Sequence, residues 1–201
     1  MTETIKTTEN RIRRLANKKN GYFFAQDAIA VGISRWNLTE LAAIKKIKKV
    51  SYGLYSLSEI IPDELFITQL QSPKAIFSHE TALFFNGYSD QVPLKYTVSV
   101  PNGYISKKLG AVYDVRHVAK DYSEEGIDIV KSNLGNDLRV YCIERTLCDL
   151  LHRPSALDKG RFVSAIQRYL KSSHKDILKL VRFAQILHVE KKLLPYLEVL
   201  Q

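Results

Sequence analysis

Residues 21–56, GYFFAQDAIAVGISRWNLTELAAIKKIKKVSYGLYS, leave the chain few ways to fold. Ala25 to Val31 has the composition of a short helix, with Ala28, Ile29 and Val31 available for packing. Gly32 follows, and glycine tolerates the positive φ that a sharp turn between helices demands. Ile33 supplies an apolar plug for that turn. Ser34 stands where an N-cap belongs, ready to accept a free backbone N–H of the next helix. From there Leu38, Leu41, Ala42 and Lys45 recur at three- and four-residue intervals. That stripe is backed by a polar face carrying Arg35, Asn37, Thr39, Glu40 and Lys46.

The next residues add a ribbon. Ile47 to Ser51 and Leu54 to Leu57 are short β-prone runs around Ser51-Tyr52-Gly53, a turn sequence. Two helices joined by a short glycine-containing turn make a helix-turn-helix, and a basic hairpin after it makes a winged helix. Charge follows the motif. The chain of 201 residues has a net charge of +9. Residues 1–60 hold 11 Lys/Arg against 5 Asp/Glu, whereas residues 61–201 hold 19 against 16. The first third thus carries most of the excess, as expected where the partner is a polyanion.

The N-terminal residues of the second helix are the ones that reach base edges in helix-turn-helix proteins. Arg35, Trp36, Asn37, Thr39 and Glu40 are therefore the predicted DNA-reading set. Arginine matches guanine O6/N7 and asparagine matches adenine N6/N7. Trp36 has two places open to it, against the sugar–phosphate backbone or beneath the first helix. Lys45, Lys46, Lys48, Lys49 and Tyr52 are predicted to hold phosphates, contacts that position a protein without reading sequence; the competing reading of these lysines is a solvated charge run. A first helix is predicted from Thr8, as its cap, to Lys19, with Ile12, Leu15 and Ala16 inward. Its arginines either reach phosphates or form a solvated face. Tyr22, Phe23 and Phe24 read as core anchors.

The fold class predicted is α+β: a winged helix-turn-helix over residues 1–62, a linker over 63–74, and a larger mixed domain over 75–201 that ends in a helical tail. Asp63 to Leu70 reads as a helix broken by Gln71-Ser72-Pro73. Beyond it, Ser78 reads as an N-cap and Gly87 as the stop of a short apolar helix. Strands are predicted at Lys95 to Val100, Ala111 to Val118, Gly126 to Lys131 and Leu138 to Ile143, the last two joined by a turn at Leu134-Gly135-Asn136. Helices follow at Glu144 to His152, Leu157 to Leu170, His174 to His188 and Lys191 to Leu200. Arg161, Arg168, Lys171, Lys175, Lys179 and Arg182 form a basic series on two of them.

The hydrophobic fraction of 45% is that of a globular protein. No apolar run approaches the roughly 20 residues of a membrane span. MTETIKTTENR lacks the apolar core of a signal peptide, which predicts a cytoplasmic protein. Cys142 and Cys148 then read as free core thiols. No Cys/His spacing suggests a metal, and no glycine-rich loop suggests a nucleotide cofactor, so neither is expected. His79 and Glu80 are adjacent, which does not aim both at one substrate. Asp128 and Lys131 give a weak D-x-x-K match to nuclease sites.

Several motifs together resemble one family. Ala25-x-Asp27-Ala28-x-x-x-Gly32-Ile33-Ser34-Arg35, then Leu38-x-x-Leu41 and Ile47-x-x-Val50-x-x-Gly53-x-Tyr55, are similar to the AbiEi antitoxins of type IV toxin–antitoxin, phage-defence systems. Ser78-His79-Glu80-Thr81-Ala82 with Gly87, the strand Tyr96 to Val100, and Glu144-Arg145-Thr146-Leu147-Cys148-Asp149-Leu150 extend the resemblance over nearly the whole chain. It implies a non-enzymatic repressor that binds inverted repeats in its own promoter, in double-stranded DNA. It also implies an antitoxin whose second domain opposes a nucleotidyltransferase-like toxin without a stable complex. With no helix built for dimerisation, a monomer that assembles cooperatively on DNA is expected. The alternatives are a winged-helix regulator with no toxin partner, a nucleic-acid-processing enzyme targeted by a winged helix, and a protein–protein adaptor.

Overall fold

A computed structural model describes residues 2–152 and 159–199. The chain divides into two compact units, Met1–Asp63 and Glu64–Gln201. It is an α+β protein with a three-stranded sheet in the first unit, a five-stranded mixed sheet in the second, and helices at the C-terminal end. No described helix is long and apolar enough to cross a membrane.

The first unit runs α1 (Thr2–Asn17), β1 (Tyr22–Phe24), α2 (Ala25–Ala30), α3 (Arg35–Ala43), β2 (Ile47–Ser51) and β3 (Leu54–Leu57). The sheet is antiparallel in the order β1-β3-β2. Ile12 and Ala16 of α1, Phe23, Ala28, Leu38, Leu41 and Ile47 close one core, with Ile33 in the turn as its plug. Gly32 has φ +81, the left-handed geometry the turn requires. Tyr22 and Phe23 are buried as anchors, and the Tyr22 hydroxyl accepts from the Asp63 N–H (3.0 Å), fixing where the chain leaves the unit.

Three details depart from the sequence reading. Helix α1 begins at Thr2, so Thr8 lies inside it and does not cap it; neither glycine nor proline interrupts residues 2–7, and threonine only weakly opposes a helix. In α2 only Ala28 is buried, while Ile29 and Val31 are 43% and 40% exposed. Residues 22–24 also form a strand, because their aromatic side chains fit a half-covered sheet surface.

The second unit runs α4 (Glu64–Gln71), β4 (Ile76–Phe77), α5 (His79–Phe85), β5 (Thr97–Pro101), α6 (Lys107–Val112), β6 (Asp114–Val118), β7 (Ile127–Lys131), β8 (Asp137–Tyr141), α7 (Ile143–His152), α8 (Lys159–Lys171), α9 (Ile177–Ile186) and α10 (Glu190–Val199). The sheet order is β6-β5-β4-β8-β7. Strands β5 and β6 are parallel, as are β4 and β8; β4–β5 and β7–β8 are antiparallel. Phe77, Val98, Val100, Leu138 and Val140 form the sheet's core. A second cluster joins Leu147, Cys148, Phe162, Ile166, Tyr169, Leu180 and Phe183 across α7, α8 and α9. Both cysteines are free and buried. Burial pushes the Cys142 thiol up to about 11 and raises that of Cys148 as well, so both are protonated at neutral pH.

Of the segment expected as a linker, 63–74, the residues from Glu64 onward belong to this unit. Gln69 on α4 donates its amide to the carbonyls of Ala75 and Arg139 (2.9 and 2.8 Å) and accepts from the Arg139 N–H (2.8 Å). The strand expected at 111–118 begins only at Asp114, because residues 107–112 form a helix. Parallel strands need a crossover, and α6 supplies it, capped by Ser106 and anchored by buried Leu109. Gly110 and β-branched neighbours hid that helix. Helix α9 starts at Ile177, capped by Asp176, and not at His174. Ser78 precedes α5 as expected, but its hydroxyl bonds Ser99 (2.8 Å) in place of a helix N–H. Residues 157–158, the expected start of α8, lie outside the described residues.

Candidate nucleic-acid interface

Helix α3 is held by its first turn. The Asn37 N–H donates to Ser34 Oγ (3.1 Å), and the Ser34 N–H donates back to Asn37 Oδ1 (3.1 Å). Such a reciprocal cap satisfies two donors that a helix start otherwise leaves open. Ser34→Ala is expected to cost about 1 kcal/mol, within a range of roughly 0.5–2. Urea unfolding followed by the fluorescence of Trp36, the only tryptophan and two residues away, measures it.

With α3 pinned by Leu38 and Leu41, its other side faces solvent. Arg35 and Thr39, one turn apart, line a groove of about 610 Å³ between α2, α3 and the β2–β3 hairpin. Lys49 and Tyr52 line it from the hairpin, and Phe24 and Tyr55 contribute an apolar floor. No acidic residue lines it among the described residues. Tyr52 is 88% exposed at the hairpin tip, where Gly53 takes φ +71. Residues of α3, residues of the hairpin and positive charge therefore converge on one concave surface.

The ten residues expected to meet DNA separate on this geometry. Arg35, Thr39, Lys49 and Tyr52 share the groove. Trp36 is 65% exposed, so packing beneath α1 is ruled out. Glu40 is half-buried beside it on the helix. Asn37 is spent differently from expected, since bidentate pairing with adenine needs the same Oδ1 that closes the cap. Lys46 turns back to Glu9 of α1 (3.4 Å). Lys48 and Lys49 are successive on β2 and so point to opposite sheet faces; Lys48 pairs in register with Ser56, Lys49 with Tyr55. Lys45 is exposed at the end of α3, in left-handed geometry with φ +57, its carbonyl accepting from the Ser58 hydroxyl. A run of four lysines in sequence thus points several ways. Gln26, exposed at the start of α2, also lines the groove. Sequence reasoning missed it because helix periodicity does not show that the hairpin folds back over α2.

Arg13 of the first helix and most of the basic series of the second unit are engaged internally. Arg13 pairs with Glu59 (2.5 Å) and Glu9 (3.4 Å). Arg168 pairs with Asp90 (3.1 Å), Lys179 with Glu144 (3.3 Å) and Arg182 with Glu125 (3.0 Å). The Lys175 ammonium donates to the Leu170 carbonyl (2.7 Å). Arg161 and Lys171 carry no ion pair among the described residues. Asp128 and Lys131, three apart on β7, cannot face one substrate because side chains alternate along a strand; Lys131 instead pairs with Asp137 (2.5 Å). No group of three or more His, Cys, Asp or Glu is placed to hold a metal among the described residues.

Comparison with protein-family models finds no match, nor does comparison with curated proteins. Among solved structures, the crystal structure of the RV2827C protein from Mycobacterium tuberculosis is similar, at a TM-score of 0.58 and 14% identity, over 89% of this chain and 71% of that one. The chain shares its fold. At that identity the likeness speaks for architecture alone.

Proposed function

We propose that the first unit is a winged helix-turn-helix that binds double-stranded DNA, and that the protein is a repressor of its own operon. The observation that carries this reading is the groove where Arg35 and Thr39 of a capped, solvent-facing helix meet Lys49 and Tyr52 of the hairpin, with no acid lining it. The N-terminal turn of α3 adds the positive end of a helix dipole to that surface. In this reading Arg35 reads a base edge, and Lys49 and Tyr52 grip phosphates. Two copies on inverted repeats, assembling cooperatively, give the operator its symmetry. The resemblance of the motifs to AbiEi antitoxins supports a second role, in which the second unit opposes a nucleotidyltransferase-like toxin with no lasting complex between them. Arg161 and Lys171 are the cations left for that role or for extra DNA contact.

The test is an electrophoretic shift with the DNA upstream of the protein's own gene, at about 50 and 200 mM salt. Each phosphate contact is expected to contribute about −0.9 to the slope of log affinity against log salt. Salt-sensitive binding that favours this DNA over random duplex supports the repressor. No binding at the lower salt overturns it and leaves the adaptor reading. The antitoxin role is tested by co-expression with the neighbouring gene product: failure of the full chain to relieve its toxicity overturns that part alone.

A further inference from the structure

A second cavity, of about 320 Å³, lies wholly within the second unit, between the end of β6, helix α7 and the end of α9. Its chemistry differs from the DNA-facing groove. Four of the chain's five histidines line it: His79, His117, His152 and His188. Arg116 and Arg145 line it as well, and Asn102 adds an amide. Val118, Ala119, Ile186 and Leu187 supply an apolar wall.

Arg145 is 1% exposed. Its Nη1 donates to the carbonyls of Tyr122 and Glu125, and its Cζ lies 3.5 Å from the centre of the Tyr141 ring. Its Nη2 has no hydrogen-bond partner among the described residues, and neither has Nε of Arg116. Both are buried donors at the wall of an open cavity. A charged donor left in that condition is destabilising until an acceptor arrives. The one acid in the lining, Asp149, forms an ion pair with Arg145 Nε (3.5 Å) but no hydrogen bond, and its Oδ2 is itself left without a hydrogen-bond partner among the described residues.

We propose that this cavity binds a small phosphorylated molecule, its phosphoryl oxygens accepting from Arg116 and Arg145 and its body lying on the apolar wall. Two guanidinium groups, imidazoles and an amide offer more donors than the two oxygens of a carboxylate can use. A phosphate monoester brings three acceptor oxygens and a charge between about −1.5 and −2. The cavity sits at the small end of the roughly 300–1,000 Å³ typical of ligand pockets, which suits a mononucleotide or smaller and excludes a polymer.

Isothermal titration of the full chain with inorganic phosphate, adenosine 5′-monophosphate and adenosine tests this. The phosphate or the mononucleotide is expected to bind and adenosine is not. Equal affinity for the first two assigns the site to free phosphate, and tighter binding of the mononucleotide shows the apolar wall in use. Arg116→Gln and, separately, Asn102→Ala are expected to weaken binding by about tenfold, the size of one charge-assisted hydrogen bond. Both residues are at least partly exposed, so the variants keep the fold, and both leave duplex-DNA binding unchanged. No heat with either phosphate compound up to about 10 mM, a concentration at which even weak sites fill, overturns the proposal. So does adenosine binding as well as its monophosphate, or undiminished phosphate binding by both variants.

Discussion

Arg145→Ala is expected to destabilise the second unit by about 3–5 kcal/mol, the usual result of removing one partner from a buried ion pair. Helix α7 buries every residue from Ile143 to Leu151, so the groups that the guanidinium served stay inside the protein when it is removed. Asp149, 5% exposed, loses its cation, the Tyr122 and Glu125 carbonyls lose a donor, and the Tyr141 ring loses the charge against its face. Urea denaturation monitored by circular dichroism measures the loss. The pH dependence identifies the cause. In the wild-type protein burial outweighs Arg145 and raises the Asp149 carboxyl from 3.8 to about 6. A raised folded-state value means that its contribution to stability is present below about 4 and is lost as pH rises through 6. Without Arg145 the carboxyl rises further, so the deficit of the variant is expected to shrink between pH 8 and pH 5. A deficit independent of pH would assign the loss to packing and to the orphaned carbonyls.

The combined variant Arg35→Ala, Lys49→Ala is expected to lose most of the preference for the operator. A bidentate arginine–guanine contact is worth about 1–3 kcal/mol of discrimination. A lysine–phosphate contact adds an affinity term that is uniform across sequences and about one unit of salt slope. The single variants separate the two. Arg35→Ala alone is expected to weaken operator binding more than random-duplex binding, whereas Lys49→Ala weakens both and flattens the salt dependence. Lys48→Ala is the internal control. It removes the same charge one residue away, on the sheet face turned from the groove, and is expected to change affinity less than Lys49→Ala. If Lys48 mattered as much as Lys49, the groove would not be where the duplex lies.

The first unit was largely legible in the sequence because its signals are local. A serine cap, a glycine at the turn and a two-residue hairpin tip each state a backbone geometry within four residues. The strands at Ile47–Ser51 and Leu54–Leu57 follow from that spacing. What was not legible is direction. Lys45, Lys46, Lys48 and Lys49 are neighbours in sequence, yet a helix end, an ion pair to Glu9 and the alternation of a strand send them different ways. Asn37 has the right chemistry for adenine and is consumed by its own helix cap. In the second unit the mixed sheet order depends on pairings between distant segments, which no window of sequence reports. Helix α6 was hidden for that reason, since only the parallel pairing of β5 with β6 demands a crossover there. The histidine-lined cavity was missed because its residues come from five separate segments. The nearest signal was Arg145 and Asp149, four apart on a helix otherwise read by its leucines.

The position of β4 has a consequence for the order in which the second unit assembles. This two-residue strand sits in the middle of the sheet, beside β5, which follows it closely, and beside β8, which arrives only at Asp137–Tyr141. Phe77 must wait for Val140 before its second edge is covered, and a contact so distant along the chain forms slowly. During synthesis the first unit has all its strands once Leu57 has emerged, while the second exposes an unfinished central strand for much of its translation. The N-terminal unit is therefore built to mature first.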